Sequence, residues 1–231
     1  MCCVSKKKEQ QYLDTVILHM HGGGFIALSS RSMQVYTRKW ANELDIPVFS
    51  VDYRMPPEHP FPQAPYDCLT VYRFLLNHVH NYMNIRPRNI YLAGDSAGGN
   101  LTLSLTGLIL KYKEPIPRGL FAIYPVTDMR MIFSESKINA ITDVLLWPSA
   151  LLLCLNQYLQ NDNKKAEDPI ASPALLTEEF VNGTEGDKRF PVNWPKTVVT
   201  AGTRDPLLDD SLMLMQRMVG SNVDCKCVLY E

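Results

Sequence analysis

Residues 90–105 read Ile90-Tyr91-Leu92-Ala93-Gly94-Asp95-Ser96-Ala97-Gly98-Gly99-Asn100-Leu101-Thr102-Leu103-Ser104-Leu105. A short apolar run ending in glycine reads as a buried strand, and the longer apolar stretch behind it reads as a helix, so G-x-S-x-G falls on the turn between them. Small residues two before and two after Ser96 let the backbone reverse sharply, which lifts the hydroxyl clear of the sheet and aims it into a cleft at a helix N-terminus. Such a turn is a nucleophile elbow and predicts a serine hydrolase. Alone, the motif fits a plain glycine-rich turn equally well. A second motif upstream breaks the tie. Thr15-Val16-Ile17-Leu18-His19-Met20 is strand-like and empties into His21-Gly22-Gly23-Gly24-Phe25, a glycine loop of the kind that supplies oxyanion-hole amides.

The composition bounds the rest. With 231 residues, 46% of them hydrophobic and 20% charged, the chain is long enough for one domain with a large core. Twenty-three basic residues against 24 acidic ones, without a basic stripe, give no electrostatic support for a nucleic-acid partner or a polyanionic substrate. Six cysteines, at 2, 3, 68, 154, 225 and 227, form no C-x-x-C pair and no zinc spacing with histidine, so no metal is expected. Free thiols point to a reducing, cytoplasmic setting; Cys225 and Cys227 share one strand face and are poorly placed to bridge. The start, Met1-Cys2-Cys3-Val4-Ser5 followed by Lys6, Lys7 and Lys8, lacks the apolar core of a signal peptide. It reads as a frayed terminus, with acylation of Cys2 and Cys3 and contact with a membrane or lipid-droplet surface as the alternative. The longest apolar stretch, 144–155, contains Pro148 and is too short to span a bilayer, so no transmembrane segment is expected. No feature of the sequence selects an oligomeric state.

Short apolar runs alternate with longer helix-patterned stretches, which predicts an α/β architecture: a mostly parallel sheet with helices on both faces. Strands are expected over 16–20, 48–52, 90–94, 120–124, 197–201 and 225–230, and helices over 32–44, 64–80, 97–112, 145–160 and 209–219. Between the fourth and fifth strands lie roughly seventy residues, far more than one crossover needs. That insertion, about 129–195, is the expected cap over the active site. Its apolar residues Trp147, Leu151, Leu152 and Leu155 either line an acyl pocket or pack on the main domain.

Four blocks carry a family resemblance over nearly the whole chain: His21-Gly22-Gly23-Gly24-Phe25, Asp52-Tyr53-Arg54-Met55-Pro56-Pro57-Glu58-His59-Pro60-Phe61-Pro62, Gly94-Asp95-Ser96-Ala97-Gly98-Gly99-Asn100, and Asp205-Pro206-Leu207-Leu208-Asp209-Asp210. The chain resembles the hormone-sensitive lipase family of α/β hydrolases, in wording closer to the animal lipases than to the bacterial esterases. The resemblance implies one catalytic domain over 1–231 that cleaves a small hydrophobic ester or acylglycerol and needs no cofactor. It makes Ser96 the nucleophile and Asp205 the triad acid, with the amides of Gly23, Gly24 and Ala97 forming the oxyanion hole. Supporting positions are His21, Gly22, Gly94, Asp95 and Gly98, with His21 read as a brace for the glycine loop rather than a base. His19 is read in the same way. Asp209 and Asp210 are read as helix-start residues that favour the dipole, and Asp52 and Glu58 as scaffold.

In this fold the triad runs Ser, then Asp or Glu, then His, yet the five histidines are His19, His21, His59, His78 and His80, all ahead of Asp205. Family members also carry extra strands and helices before the glycine loop, whereas twenty residues precede His21 here. The expectation is a chain cut at both ends, with apolar sheet edges exposed and little activity of its own. Two readings stand: a serine ester hydrolase whose base lies outside these residues, or a noncatalytic ligand-binding module like the plant gibberellin receptors of the same family.

Overall fold

The computed structural model describes residues 2–3, 13–130, 132, 134–139 and 146–231. Among them seven strands form one sheet: β1 (Cys2–Cys3), β2 (Leu13–Met20), β3 (Val48–Val51), β4 (Ile85–Asp95), β5 (Gly119–Ile123), β6 (Thr197–Gly202) and β7 (Cys225–Tyr230). Their order is β1-β3-β2-β4-β5-β6-β7; β2 to β7 are parallel, and β1 runs antiparallel against β3. The helices are α1 (Gln34–Leu44), α2 (Gln63–Asn77), α3 (Ala97–Lys111), α4 (Glu135–Asn139), α5 (Pro148–Leu159), α6 (Glu178–Asn182) and α7 (Leu208–Gly220). This is the mostly parallel sheet flanked by helices that the alternation of strand and helix patterns predicts, and the α/β-hydrolase fold that the family resemblance implies.

The period-two rule assigns each strand residue to a face. Val16, Leu18, Met20, Ile90, Leu92, Leu120, Ala122 and Val199 point into the main core, which they share with residues of α2, α3 and α7. Every residue of α3 from Ala97 to Leu110 is buried, which is why this segment reads as apolar all round rather than amphipathic. The opposite face carries a small cluster of Ile17, Ala41, Val48 and Ala93, with Trp40, Ile46 and Phe121 packed against it. There α1 leaves an apolar groove of about 780 Å³ lined by residues including Trp40, Tyr91, Phe121 and Val198.

Differences from the sequence reading have local causes. Strand β4 starts five residues earlier than expected because Leu13 and Ile85 extend the β2–β4 ladder. The helix expected over 64–80 stops at Asn77 and a single 3₁₀ turn, Val79–Asn81, follows. The helix expected over 145–160 begins at Pro148, whose missing N–H costs nothing at the first helical position. Leu145, like Val144 and Lys6, Lys7 and Lys8, lies outside the described residues. Among the described residues no helix is long and apolar enough to cross a membrane.

Candidate active site

Strand β4 ends at Asp95 and α3 begins at Ala97, leaving Ser96 alone to make the turn at φ +53°, ψ −117°. For a residue with a side chain that conformation costs on the order of 1–3 kcal/mol, so the surroundings must enforce it. Gly94 and Gly98 show how. A Cβ at Gly98 would lie 2.7 Å from the His21 carbonyl oxygen and 2.6 Å from the Met20 carbonyl carbon, and one at Gly94 would meet the carbonyls of Gly98 and Met20. The N–H of Ser96 donates to the Ile123 carbonyl at 2.8 Å, fastening the elbow to the end of β5.

The glycine loop leaves the end of β2, the strand beside β4. Gly23 has φ +109°, and a Cβ there would strike the backbone of Ala27 (2.8 Å to its carbonyl carbon). Asp95 ties loop to elbow: its Oδ1 accepts from the Gly22 N–H at 3.2 Å and from the Tyr36 hydroxyl at 2.7 Å. Because that hydroxyl donates to Asp95, His19 Nε2 donates to Tyr36 at 2.9 Å, while His19 Nδ1 meets the Ser50 hydroxyl at 2.8 Å. Burial would push the Asp95 carboxyl up, but the His19 ring, with Nε2 3.7 Å from Oδ1, and hydrogen bonds from Tyr36 and Gly22 outweigh it and hold the group below the usual carboxylate range. His21 is buried, stacks on Tyr53 at 4.3 Å, and donates from Nδ1 to the Gly22 carbonyl at 2.7 Å. Burial lowers its pKa, so the ring is neutral, with Nε2 unpartnered among the described residues.

Asp205 follows β6 in a turn closed by its own carboxylate, whose Oδ1 accepts from the Leu207 N–H at 2.8 Å. Ser96, Gly23, Gly24 and Asp205 line one cavity of about 820 Å³ together with Tyr124, Thr203, Arg204 and Tyr230. Ala97 is fully buried at the first position of α3. Among the described residues the amides of Gly23, Gly24 and Ala97 have no acceptor. None of the five histidines lines the cavity, and the described residues form no metal-binding group of His, Cys, Asp or Glu.

A family profile described as alpha/beta hydrolase fold matches residues 17–231. Hormone-sensitive lipase of Mus musculus is 39% identical over 153 residues, 66% of this chain and 20% of the mouse protein. An esterase of Acinetobacter venetianus is 30% identical over 223 residues, 96% of this chain and 67% of the esterase. The chain belongs to the hormone-sensitive lipase family of α/β hydrolases. It spans about a fifth of the mouse lipase and two thirds of the bacterial esterase. The crystal structure of a thermophilic carboxylesterase cloned from a metagenomic library superposes with a TM-score of 0.85 at 27% identity, covering 96% of this chain and 71% of the esterase.

In this α/β hydrolase one wall of the cavity is the α5 face of Ala150, Leu151, Cys154 and Leu155, preceded by Leu146. Trp147 and Leu152, expected with them, are exposed: Trp147 precedes the helix and Leu152 is turned about 100° from Leu151. Cys154 went unrecognised in the sequence, although its Cβ lies 3.1 Å from where a side chain at Gly24 would begin. Only helical spacing from Leu151 marks it. Asp209 and Asp210 do lie in the first turn of α7, and they also meet α4.

Proposed function

We propose that the protein is a serine carboxylic-ester hydrolase acting on hydrophobic acyl esters through an acyl-enzyme intermediate. The observation that carries this reading is the convergence on one cavity of the Ser96 hydroxyl, a glycine loop with unengaged amides and an apolar wall from α5. Ser96 Oγ attacks the ester carbonyl carbon and gives its proton to a general base. The carbonyl oxygen becomes negative and is met by the N–H groups of Gly23, Gly24 and Ala97. Collapse expels the alcohol, which takes the proton back, and water then cleaves the acyl-Ser96 ester by the same route. Asp205 would hold the base in its working tautomer and stabilise its cation. No step calls for a metal or a cofactor.

We read residues 129–195 as a cap on a single catalytic domain, with Leu151 and Leu155 against the acyl chain of a small hydrophobic ester or acylglycerol. The names of the lipase and esterase relatives support that substrate class. A cytoplasmic setting is supported by the free thiols of Cys68, Cys154, Cys225 and Cys227.

Among the described residues no histidine lines the cavity, which leaves the role of general base open there. Loss of a triad member costs about ten-thousand- to million-fold, so the 231 residues by themselves are expected to turn over esters only at a trace rate. The same observation favours a second reading, a noncatalytic module that binds a hydrophobic ligand in this cavity. Hydrolysis of p-nitrophenyl butyrate separates the two. Added imidazole should raise the rate of this chain but not that of Ser96→Ala. Equal rates in variant and parent would leave the ligand-binding reading.

A further inference from the structure

We propose that Ser136 and Lys137, in α4, are positioning residues that clamp the segment 205–210 and thereby fix the carboxylate of Asp205. The proposal rests on the reading of Asp205 as the triad acid. After β6 the Thr203 N–H still reaches the Tyr230 carbonyl at 2.8 Å and the Asp205 N–H the Gly202 carbonyl at 3.1 Å, but Thr203 and Arg204 are exposed and the segment beyond Asp205 leaves the sheet. The clamp comes from α4, about seventy residues earlier. The Ser136 N–H donates to Asp209 Oδ2 at 2.8 Å, its hydroxyl donates to the Pro206 carbonyl at 3.0 Å, and the same oxygen accepts from the Asp209 N–H at 3.3 Å. One hydroxyl therefore bonds on both sides of Leu207, whose own N–H reaches Asp205 Oδ1.

Beside it, Lys137 Nζ donates to Asp210 Oδ1 at 2.8 Å, with both side chains nearly closed to solvent (11% and 3% exposed). Thr127 completes the hold, its hydroxyl donating to the Asp210 carbonyl at 2.9 Å. A buried ion pair gains little net stability because both charges must be desolvated, but it admits few alternative geometries. Placed here, it fixes where α4 meets α7. The consequence is mechanical: displacement of α4 from α7 would carry the acid's turn with it.

The test is backbone amide exchange by NMR, because the Leu207 amide reports the placement of the Asp205 carboxylate directly. In Ser136→Ala it should exchange about tenfold faster or more, while the amides of β4, which open only with the whole fold, keep their rates. Ser136→Thr, which keeps the hydroxyl, should restore protection, and Lys137→Arg should hold better than Lys137→Met. In imidazole-assisted hydrolysis of p-nitrophenyl butyrate Ser136→Ala should lower kcat about tenfold with KM unchanged. An unchanged Leu207 amide, or equal acceleration throughout β4, overturns the clamp. Faster Leu207 exchange with an unchanged kcat overturns its role in the reaction. Absence of imidazole-assisted turnover in the parent protein overturns the esterase reading instead, and leaves the clamp to be judged on exchange.

Discussion

Ser96 keeps its strained conformation only because nothing larger than hydrogen occupies the positions two residues to either side. At Gly98 a methyl group would press on carbonyl groups of Met20 and His21, backbone that is pinned by the β2–β4 ladder and cannot withdraw. Gly98→Ala is therefore expected to destabilise the fold by about 2–3 kcal/mol or more, read from urea denaturation. Gly220, the last residue of α7, offers the internal contrast: a Cβ there meets nothing within 4 Å, so Gly220→Ala should be neutral or stabilise by up to about 1 kcal/mol. Equal effects at the two sites would show that crowding behind the elbow is not what fixes it. Residues of this kind were legible in the sequence because their constraint is local: a sharp turn demands small side chains at fixed spacing. Cys154 beside Gly24, and Ser136 beside Pro206, were not legible. Their meetings are made by tertiary placement, and no spacing rule links a residue of α4 or α5 to a loop far away in the chain.

The same distinction holds for elements. The parallel strands and long helices declared themselves through runs and periods, whereas α4 and α6, five residues each, are too short to show a period at all. Yet α4 meets a carboxyl group with an unusual titration. Burial lifts the pKa of Asp210 from 3.8 to about 6, with Asp128 and Asp209 adding to the rise and Lys137 opposing it; its Oδ2 has no hydrogen-bond partner among the described residues. Arg130, paired to Asp128 by its guanidinium, also faces this group. Between pH 3.8 and 6 the folded chain holds a proton that the unfolded chain has released. The contribution of Asp210 to stability is thus most favourable at low pH and falls as pH rises through about 6, by on the order of 1–3 kcal/mol in all. Asparagine cannot titrate. The stability of the parent chain relative to Asp210→Asn should therefore decline between pH 4.5 and 7.5 in urea denaturation. A flat or rising difference would mean that Lys137 compensates the buried charge completely.

For the whole molecule the alternation of patterns gives the order of elements along the chain, but not which helix covers which side of the sheet. That assignment is tertiary, and it is lopsided among the described residues: α2, α3 and α7 bury one face, whereas α1 alone packs on the other. Exposed apolar sheet surface lies on that face as well as at the β7 edge, where Leu229 and Tyr230 are exposed. On the α1 face Tyr91 is 39% exposed, at the groove it shares with Trp40, Phe121 and Val198. Exposed apolar surface of this kind binds apolar dyes and can promote association. Val198 is the place to interrupt it, because the β6–β7 register sets it directly opposite Lys226 and the β5–β6 register sets it beside Phe121. A glutamate at 198 would put a charge in the middle of the apolar strip and an opposite-charge partner across the strand pair, which keeps the cost to the sheet small. Val198→Glu should lower 1-anilinonaphthalene-8-sulfonate fluorescence by roughly half or more and reduce self-association in sedimentation velocity. The Ser96 cavity, which opens elsewhere on the molecule, should be untouched, so imidazole-assisted hydrolysis of p-nitrophenyl butyrate should not change. If dye binding and sedimentation stay as they were, this face is not what makes the chain adhesive, and the apolar wall of α5 becomes the surface to alter next.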